Sequence, residues 1–301
     1  MQYQLNAATV LNVVYAGAVT RHLQSTIDTN TLNVILLATA NAQANSIFPD
    51  FARGGSFVIP EPATNDNGLQ LDVTRRTLTL THDTKYTYSK CLGDARDIVD
   101  NDIGSYRAPY APGLGIGVDY ALCDTFYASR TFVLGRGQAL LTHRFGSYVA
   151  GGWSLQNIAT VQDAQPLNIA CTTTIAAGLG CNLFIVPGHP PYAGAHNATQ
   201  ILNPAVFANS VANATGIAAL GGSPTQVTGP VYRKLDASLF RQIPLVEGTC
   251  LEIRAEAFNV TNTPSFSAPG TVTFTSPTTF ASLTSTRDSS RQLRYAAKIY
   301  C

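Results

Sequence analysis

The chain has 301 residues, of which 12% are charged, and a net charge of +1. That balance excludes the strongly basic face of a nucleic-acid binder and gives no pull toward a strongly acidic partner. A charged share about half the usual one, with many Thr, Tyr and Val, suits a β protein.

No apolar run approaches the roughly 18 residues of a membrane helix; the stretches 13–19 and 34–38 are far too short. The opening MQYQLNAAT has neither a basic start nor a long apolar core of a secretory signal. An exported form of this chain is therefore expected to have lost its signal or to be a fragment.

Segments of period-two alternation recur along the chain and predict about eight strands. The first, 9–17 (TVLNVVYAG), precedes a long stretch to about residue 67. Segment 69–75 (LQLDVTR) sets Leu69, Leu71 and Val73 against Gln70, Asp72 and Thr74, and meets 78–89 across a turn near Arg76. A Gly-, Pro- and Asp-rich loop over 93–119 leads to a strand over 125–134, then a Gly-rich connection (GRGQALLTHRFGSYVAG) and a strand over 152–162. A very long loop, 166–230, leads to a strand over 231–241. The turn PLVEG leads on to 249–260, and another long loop, 261–290, to a final strand over 291–301.

Connections thus alternate between long and short, the long ones running to about fifty, thirty, sixty-five and thirty residues. A compact soluble domain rarely keeps structureless loops of this length. An outer-membrane barrel does, with short periplasmic turns and long extracellular loops. The expected fold is all-β: an antiparallel transmembrane β-barrel segment. Trp153 and Tyr15, Tyr86, Tyr88, Tyr295 and Tyr300 lie near predicted strand ends, as an interfacial aromatic girdle would place them.

The segment LEIRAEAFN (251–259) alternates apolar Leu251, Ile253, Ala255 and Ala257 with charged Glu252, Arg254 and Glu256. In a soluble sandwich the charged row would face water; in a membrane barrel it faces the lumen and the apolar row meets lipid. Asp72, Asp236, Arg294 and Lys298 fall on matching sides of their strands. Together with Glu252, Arg254 and Glu256 they are the lumen-lining candidates. The plain reading of the row is a solvated cross-strand ion ladder with Asp236 and Arg294; the functional reading is contact with a plug or cargo.

No GxSxG, SxxK, HExxH or Walker motif occurs, and His82 and Asp83, adjacent on a strand, point to opposite faces. No enzymatic activity and no cofactor is expected. His189 and His196 match no metal motif, and the loop residues Asp94, Asp97, Asp100, Asn101 and Asp102 read as a solvated acidic loop, with calcium as the alternative. The sequons at Asn197, Asn213 and Asn259 carry little weight. Six cysteines without a CxxC pair argue against a structural metal site and allow up to three disulfides. Cys171 and Cys181 bracket a short loop, and Cys91 and Cys123 flank a long one; these four are the disulfide candidates, with free buried thiols as the alternative. Cys250 and Cys301 have opposite parity, which argues against pairing them.

Several longer segments, in order, carry a family resemblance. They are VVYAGAVTRHL (13–23), NGLQLDVTRRTLTLTHDTKYTYSKCLGDARD (67–97), GGWSLQNIATVQDAQPLNI (151–169) and LNPAVFA (202–208). GPVYRKLDASLFRQIPLVEGTCLEIRAEAFNVTNTPSF (229–266) and FASLTSTRDSSRQLRYAAKIY (280–300) complete the set. Together they resemble the C-terminal part of an Oar-like TonB-dependent outer-membrane receptor, over essentially residues 1–301. The departures are Asp163 and Ala164 where the family has a small residue and glycine, Arg241 for a lysine, and Cys301 for the final aromatic.

The resemblance implies a barrel of roughly 22 strands filled by an N-terminal plug, in the outer membrane of a Gram-negative bacterium, with this chain as its last strands. Implied partners are outer-membrane lipid, an N-terminal barrel and plug outside this chain, the TonB complex through that missing part, and an unknown large substrate. No nucleic acid is implied. Two alternatives belong to other classes. One is a surface adhesion or structural barrel without transport. The other is a secreted soluble β-sandwich that binds glycans, which requires Leu251, Ile253 and Leu293 to pack in a core.

Overall fold

The computed structural model describes residues 1–22, 25–28, 30, 46, 48–52, 56–60, 63–78, 80–93, 121–122, 131–140, 153–167, 169, 183–197, 200–208, 226–246, 248–269, 274 and 279–300. In chain order the strands are β1 (Gln2–Asn6), β2 (Thr9–Thr20), β3 (Ser25–Asp28), β4 (Ser56–Ile59), β5 (Thr64–Arg76) and β6 (Leu80–Gly93). There follow β7 (Ala121–Leu122), β8 (Thr131–Leu140), β9 (Trp153–Gln162), β10 (Pro166–Leu167), β11 (Phe184–Ile185), β12 (Tyr192–Asn197) and β13 (Gln200–Leu202). After a single 3₁₀ turn, Pro204–Val206, come β14 (Phe207–Ala208), β15 (Val227–Thr228), β16 (Tyr232–Val246), β17 (Thr249–Phe258) and β18 (Gln292–Tyr300).

The long strands build one antiparallel meander, in the order β1-β2-β5-β6-β8-β9-β16-β17-β18, with the short β7 added beside β6. Each long strand pairs with the next long strand in the chain, so all the long connections leave from one end and all the short turns close the other. Most of these strands have the roughly 9–11 residues that a tilted strand needs to cross a bilayer, or a few more. Among the described residues β1 and β18 do not pair with each other, and the sheet is open at both.

Two details depart from the sequence reading. The N-terminal β1 was not expected; its five residues alternate Gln2 and Gln4 with Tyr3 and Leu5, and Asn6 Oδ1 accepts from Ala8 N to close the turn into β2. The strand expected over 125–134 lies at Thr131–Leu140, so part of the predicted Gly-rich connection is strand. A register shift between Leu134 and Gly137 takes up the irregularity there, a place where glycine suits a bulge.

Directly opposed residues share a face, so the register carries one polarity across the sheet. Asn12, Asp72 and Lys85 stand abreast on β2, β5 and β6. Gln242, Glu252 and Lys298 do the same on β16, β17 and β18. The other face carries Tyr15, Leu69 and Tyr88 in one row, and Leu239, Ala255 and Tyr295 in another.

The make-up of the two faces says which meets what: β18 is exposed along its whole length, but one side carries Leu293, Tyr295 and Ile299 and the other Arg294 and Lys298. Tyr295 is 78% exposed, Ile299 62% and Leu293 57%, whereas Glu252 is 5% exposed. Apolar side chains outside and a carboxylate buried inside invert the pattern of a soluble sheet and match a lipid-facing wall. The glycan-binding sandwich is overturned on this point, since Ile253 and Leu293 lie open on the outer face instead of in a core. No helix among the described residues is long and apolar enough to cross a membrane, so any crossing is made by strands.

The dry core lies elsewhere, in the two long connections 163–231 and 259–291. There β10 pairs with β15, continuing the β9–β16 hairpin past the wall, and β11 pairs with β14 and β12 with β13. Leu167, Leu183, Leu202, Val206, Val227 and Phe280 form its buried centre. Phe280 comes from the second connection and meets Phe207 edge-on at 5.3 Å between ring centroids and Phe274 at 5.0 Å. Gln200 Nε2 donates to Phe280 O at 3.0 Å, tying the two connections into one cap at the long-loop end of the wall.

Candidate functional site: the charged inner face of the wall

All seven lumen-lining candidates, Asp72, Asp236, Glu252, Arg254, Glu256, Arg294 and Lys298, lie on the one polar face. The register brings them together in two groups.

The larger group centres on Arg254. Alternate residues on a strand stand about 7 Å apart, which lets one guanidinium span both carboxylates of its own strand. Arg254 reaches Glu252 Oε1 from Nη2 at 2.9 Å and from Nε at 3.0 Å, and Glu256 Oε1 from Nη1 at 3.4 Å. Gln242 Nε2, across on β16, donates to the other Glu252 oxygen at 3.1 Å. The Phe240 ring lies under the guanidinium at 4.9 Å, adding a cation–π contact. Glu252 is thus a buried carboxylate whose two oxygens are both engaged by donors, the arrangement that makes burying a charge tolerable.

The expected ladder to Asp236 and Arg294 does not form. Arg294 stands opposite Glu256 in register, yet its guanidinium lies over the Phe258 ring at 5.0 Å. Lys298, opposite Glu252, lies over Tyr300 at 4.5 Å. Neither makes an ion pair among the described residues. Tyr300 belongs to this inner face, and not to a lipid-side girdle as the sequence suggested; Tyr15, Tyr88 and Tyr295 are on the outer face, exposed.

Asp236 has a structural task. Its Oδ1 accepts from Asn259 N at 2.9 Å, and Oδ2 pairs with Lys234, which also reaches Asp288. Asn259 and Asn262 both have φ near +50°, a left-handed conformation that asparagine tolerates better than most residues. Asn259 Nδ2 donates to Thr263 O and Ser289 O while its Oδ1 accepts from Thr263 N. Asn262 Oδ1 accepts from Arg291 N. This turn launches the last long connection and receives its return, which explains FNVTN as structure. A pair of asparagines directly after an alternating strand is the signal that could have located it.

The second group is Asp72, Asp83 and Lys85. Lys85 stands opposite Asp72, but its Nζ lies 3.8 Å from Asp83. Thr74 Oγ1 also donates to Asp83. Asp72 Oδ1 is left buried without a hydrogen bond, beside a cavity of about 400 Å³ lined by Gln2, Asn12, Gln70 and Lys85.

Of the cysteine candidates, Cys91 is buried and disulfide-bonded, its partner lying outside the described residues. Cys123, Cys171 and Cys181 also lie outside them, as does the acidic loop at 94–102. Cys250 is a free thiol, opposite Tyr300 on the inner face. No cluster of three or more His, Cys, Asp or Glu suited to a metal occurs among the described residues.

Compared with known proteins, residues 1–294 match the family described as "Outer membrane beta barrel domain". No curated protein matches the sequence. Among solved structures, the outer membrane transporter YddB from Escherichia coli is similar, with a TM-score of 0.46 and 10% identity. That match covers 99% of this chain and 31% of the transporter, so the chain spans less than a third of that protein's length.

Proposed function

The chain belongs to the outer membrane β-barrel domain family and resides in the outer membrane, and on that premise we propose that it forms part of the wall of an Oar-like, TonB-dependent receptor for a large substrate. The observation that carries this reading is the open sheet with a polar inner face. Its edges at β1 and β18 are unpaired among the described residues, and a spanning sheet must close, because unpaired backbone groups are costly in lipid. Further strands and a lumen-filling plug outside this chain would supply closure and gating.

In this reading the Gln242–Glu252–Arg254–Glu256 network fixes the inner surface, and Arg294 and Lys298 hold donors toward the plug or passing substrate. The capped long connections form the surface that meets substrate first. A surface adhesion barrel without transport is the second reading, favoured by Phe48 and Phe51 in the first long connection. Both are exposed, and buried Asn30 holds their turn through Phe48 O at 2.7 Å, Phe51 O at 2.6 Å and Phe48 N at 2.8 Å.

Epistasis separates the two. Deleting the gene, deleting TonB, and deleting both should deplete the same extracellular compounds to the same reduced extent if the barrel is an energised receptor. A binding defect of the gene deletion that persists at full size in cells already lacking TonB would favour adhesion and reject transport.

A further inference from the structure

A cleft of about 610 Å³ lies where the cap joins the wall, within the range of roughly 300–1,000 Å³ typical of small-molecule sites. Its lining is mostly apolar, with Ile201, Val231, Pro264, Phe266 and Leu283 among the contributors, and its charged member is Arg233. The other polar groups there are already engaged. Tyr192 Oη and Thr228 Oγ1 hydrogen-bond each other at 2.9 Å. Ser265 Oγ accepts from Arg233 N at 3.2 Å and donates to Arg233 O at 2.8 Å. These two hydrogen bonds to buried Ser265 fix the Arg233 backbone, while its exposed guanidinium makes no ion pair or hydrogen bond among the described residues.

Position says what the guanidinium meets. Alternation along β16 puts Arg233 on the side of Leu235, Ala237 and Leu239, the lipid-facing side, at its long-loop end, with exposed Val231 just before the strand. The cleft therefore joins the apolar outer surface and ends in a cation, Arg233, at the long-loop end of the wall, where headgroups would lie. Arginine binds phosphate through two parallel hydrogen bonds, and an acyl chain suits an apolar cleft open to lipid. We infer that this cleft seats one outer-leaflet lipid, its phosphate on Arg233 and an acyl chain along Val231 and the Leu235–Leu239 column.

The test is native mass spectrometry of the detergent-folded full chain with defined probes: dioleoyl phosphatidylglycerol, dioleoylglycerol lacking phosphate, and glycerol 3-phosphate lacking acyl chains. One phosphatidylglycerol should stay bound. Arg233→Gln should weaken it about tenfold, the size of losing one strong charge-assisted contact. Lys90→Gln, which removes another exposed outer-face cation away from the cleft, should leave it unchanged. Leu283→Trp, which fills the cleft and keeps the arginine, should also release the lipid. Equal retention by Arg233→Gln and the wild type, or retention of dioleoylglycerol as tight as that of phosphatidylglycerol, overturns the inference. Displacement of the lipid by glycerol 3-phosphate reassigns the cleft to a soluble phosphate and overturns it equally.

Discussion

In the wall, Tyr295 is 78% exposed while Glu252 is 5% exposed; in the cap, Phe280 is fully buried among Leu183, Leu202 and Phe207. The same chain follows two solvation rules a few residues apart. The cap obeys water, hiding its apolar side chains in a core that its own short strands close. The wall obeys lipid, turning its apolar row outward and keeping the carboxylates Asp72, Asp83, Asp236, Glu252 and Glu256 on the inside, where Arg254 pairs with its two neighbours. Stability in the cap should therefore respond to lost volume, and stability in the wall to the side of the sheet on which a charge is placed.

The largest contrast is expected from Phe280→Ala. Removing a ring wedged between Phe207 and Phe274 should cost the cap about 3–5 kcal/mol. Limited proteolysis should then cut the long connections quickly while the far-UV circular dichroism of the wall stays native. Ala255→Arg, on the outer face of β17, should cost about 2–4 kcal/mol if it sits near the bilayer midplane, and reduce membrane insertion. Its neighbour Glu256→Gln, on the inner face and partly exposed, should change stability by less than about 1 kcal/mol. Equal effects at 255 and 256 would erase the distinction between faces.

At the junction of the two regions, Asn259→Ala removes the side-chain bonds to Thr263 and Ser289 and should cost about 1–3 kcal/mol by thermal unfolding. Asn262→Gly, which keeps the positive φ, should cost less than Asn262→Val. Arg254→Ala leaves Glu252 with Gln242 as its remaining donor, and a small drop in thermal stability is expected. Arg254→Lys should recover part of that loss, since an ammonium cannot span both glutamates at once.

The wall was largely legible in the sequence because each long strand repeats its polarity over many residues, as LQLDVTR and LEIRAEAFN do. All seven charged candidates share one face of the sheet for that reason. Their partners were not legible, because parity fixes a side and says nothing of rotamers. Arg254 turns along its own strand, Arg294 lies over Phe258, and Asp236 caps the Asn259 turn. The β8 boundary was misread because GRGQAL carries two glycines inside a strand that shifts register there. The cap was invisible: its strands of two to six residues are too short for any period to show, and Phe280 meets Phe207 from a distant connection.

Lipid-side quenching tests the central claim most directly. Trp153 is the only tryptophan of the chain, so Trp153→Phe gives a silent background for single indoles on β18. Tyr295→Trp and Ala296→Trp are adjacent in sequence and opposite in face. In bilayers of dibrominated phosphatidylcholine, the indole at 295 should be strongly quenched and the indole at 296 spared, with the order reversed for aqueous acrylamide. Equal quenching of both by either agent would contradict a wall that faces lipid on one side and a polar lumen on the other.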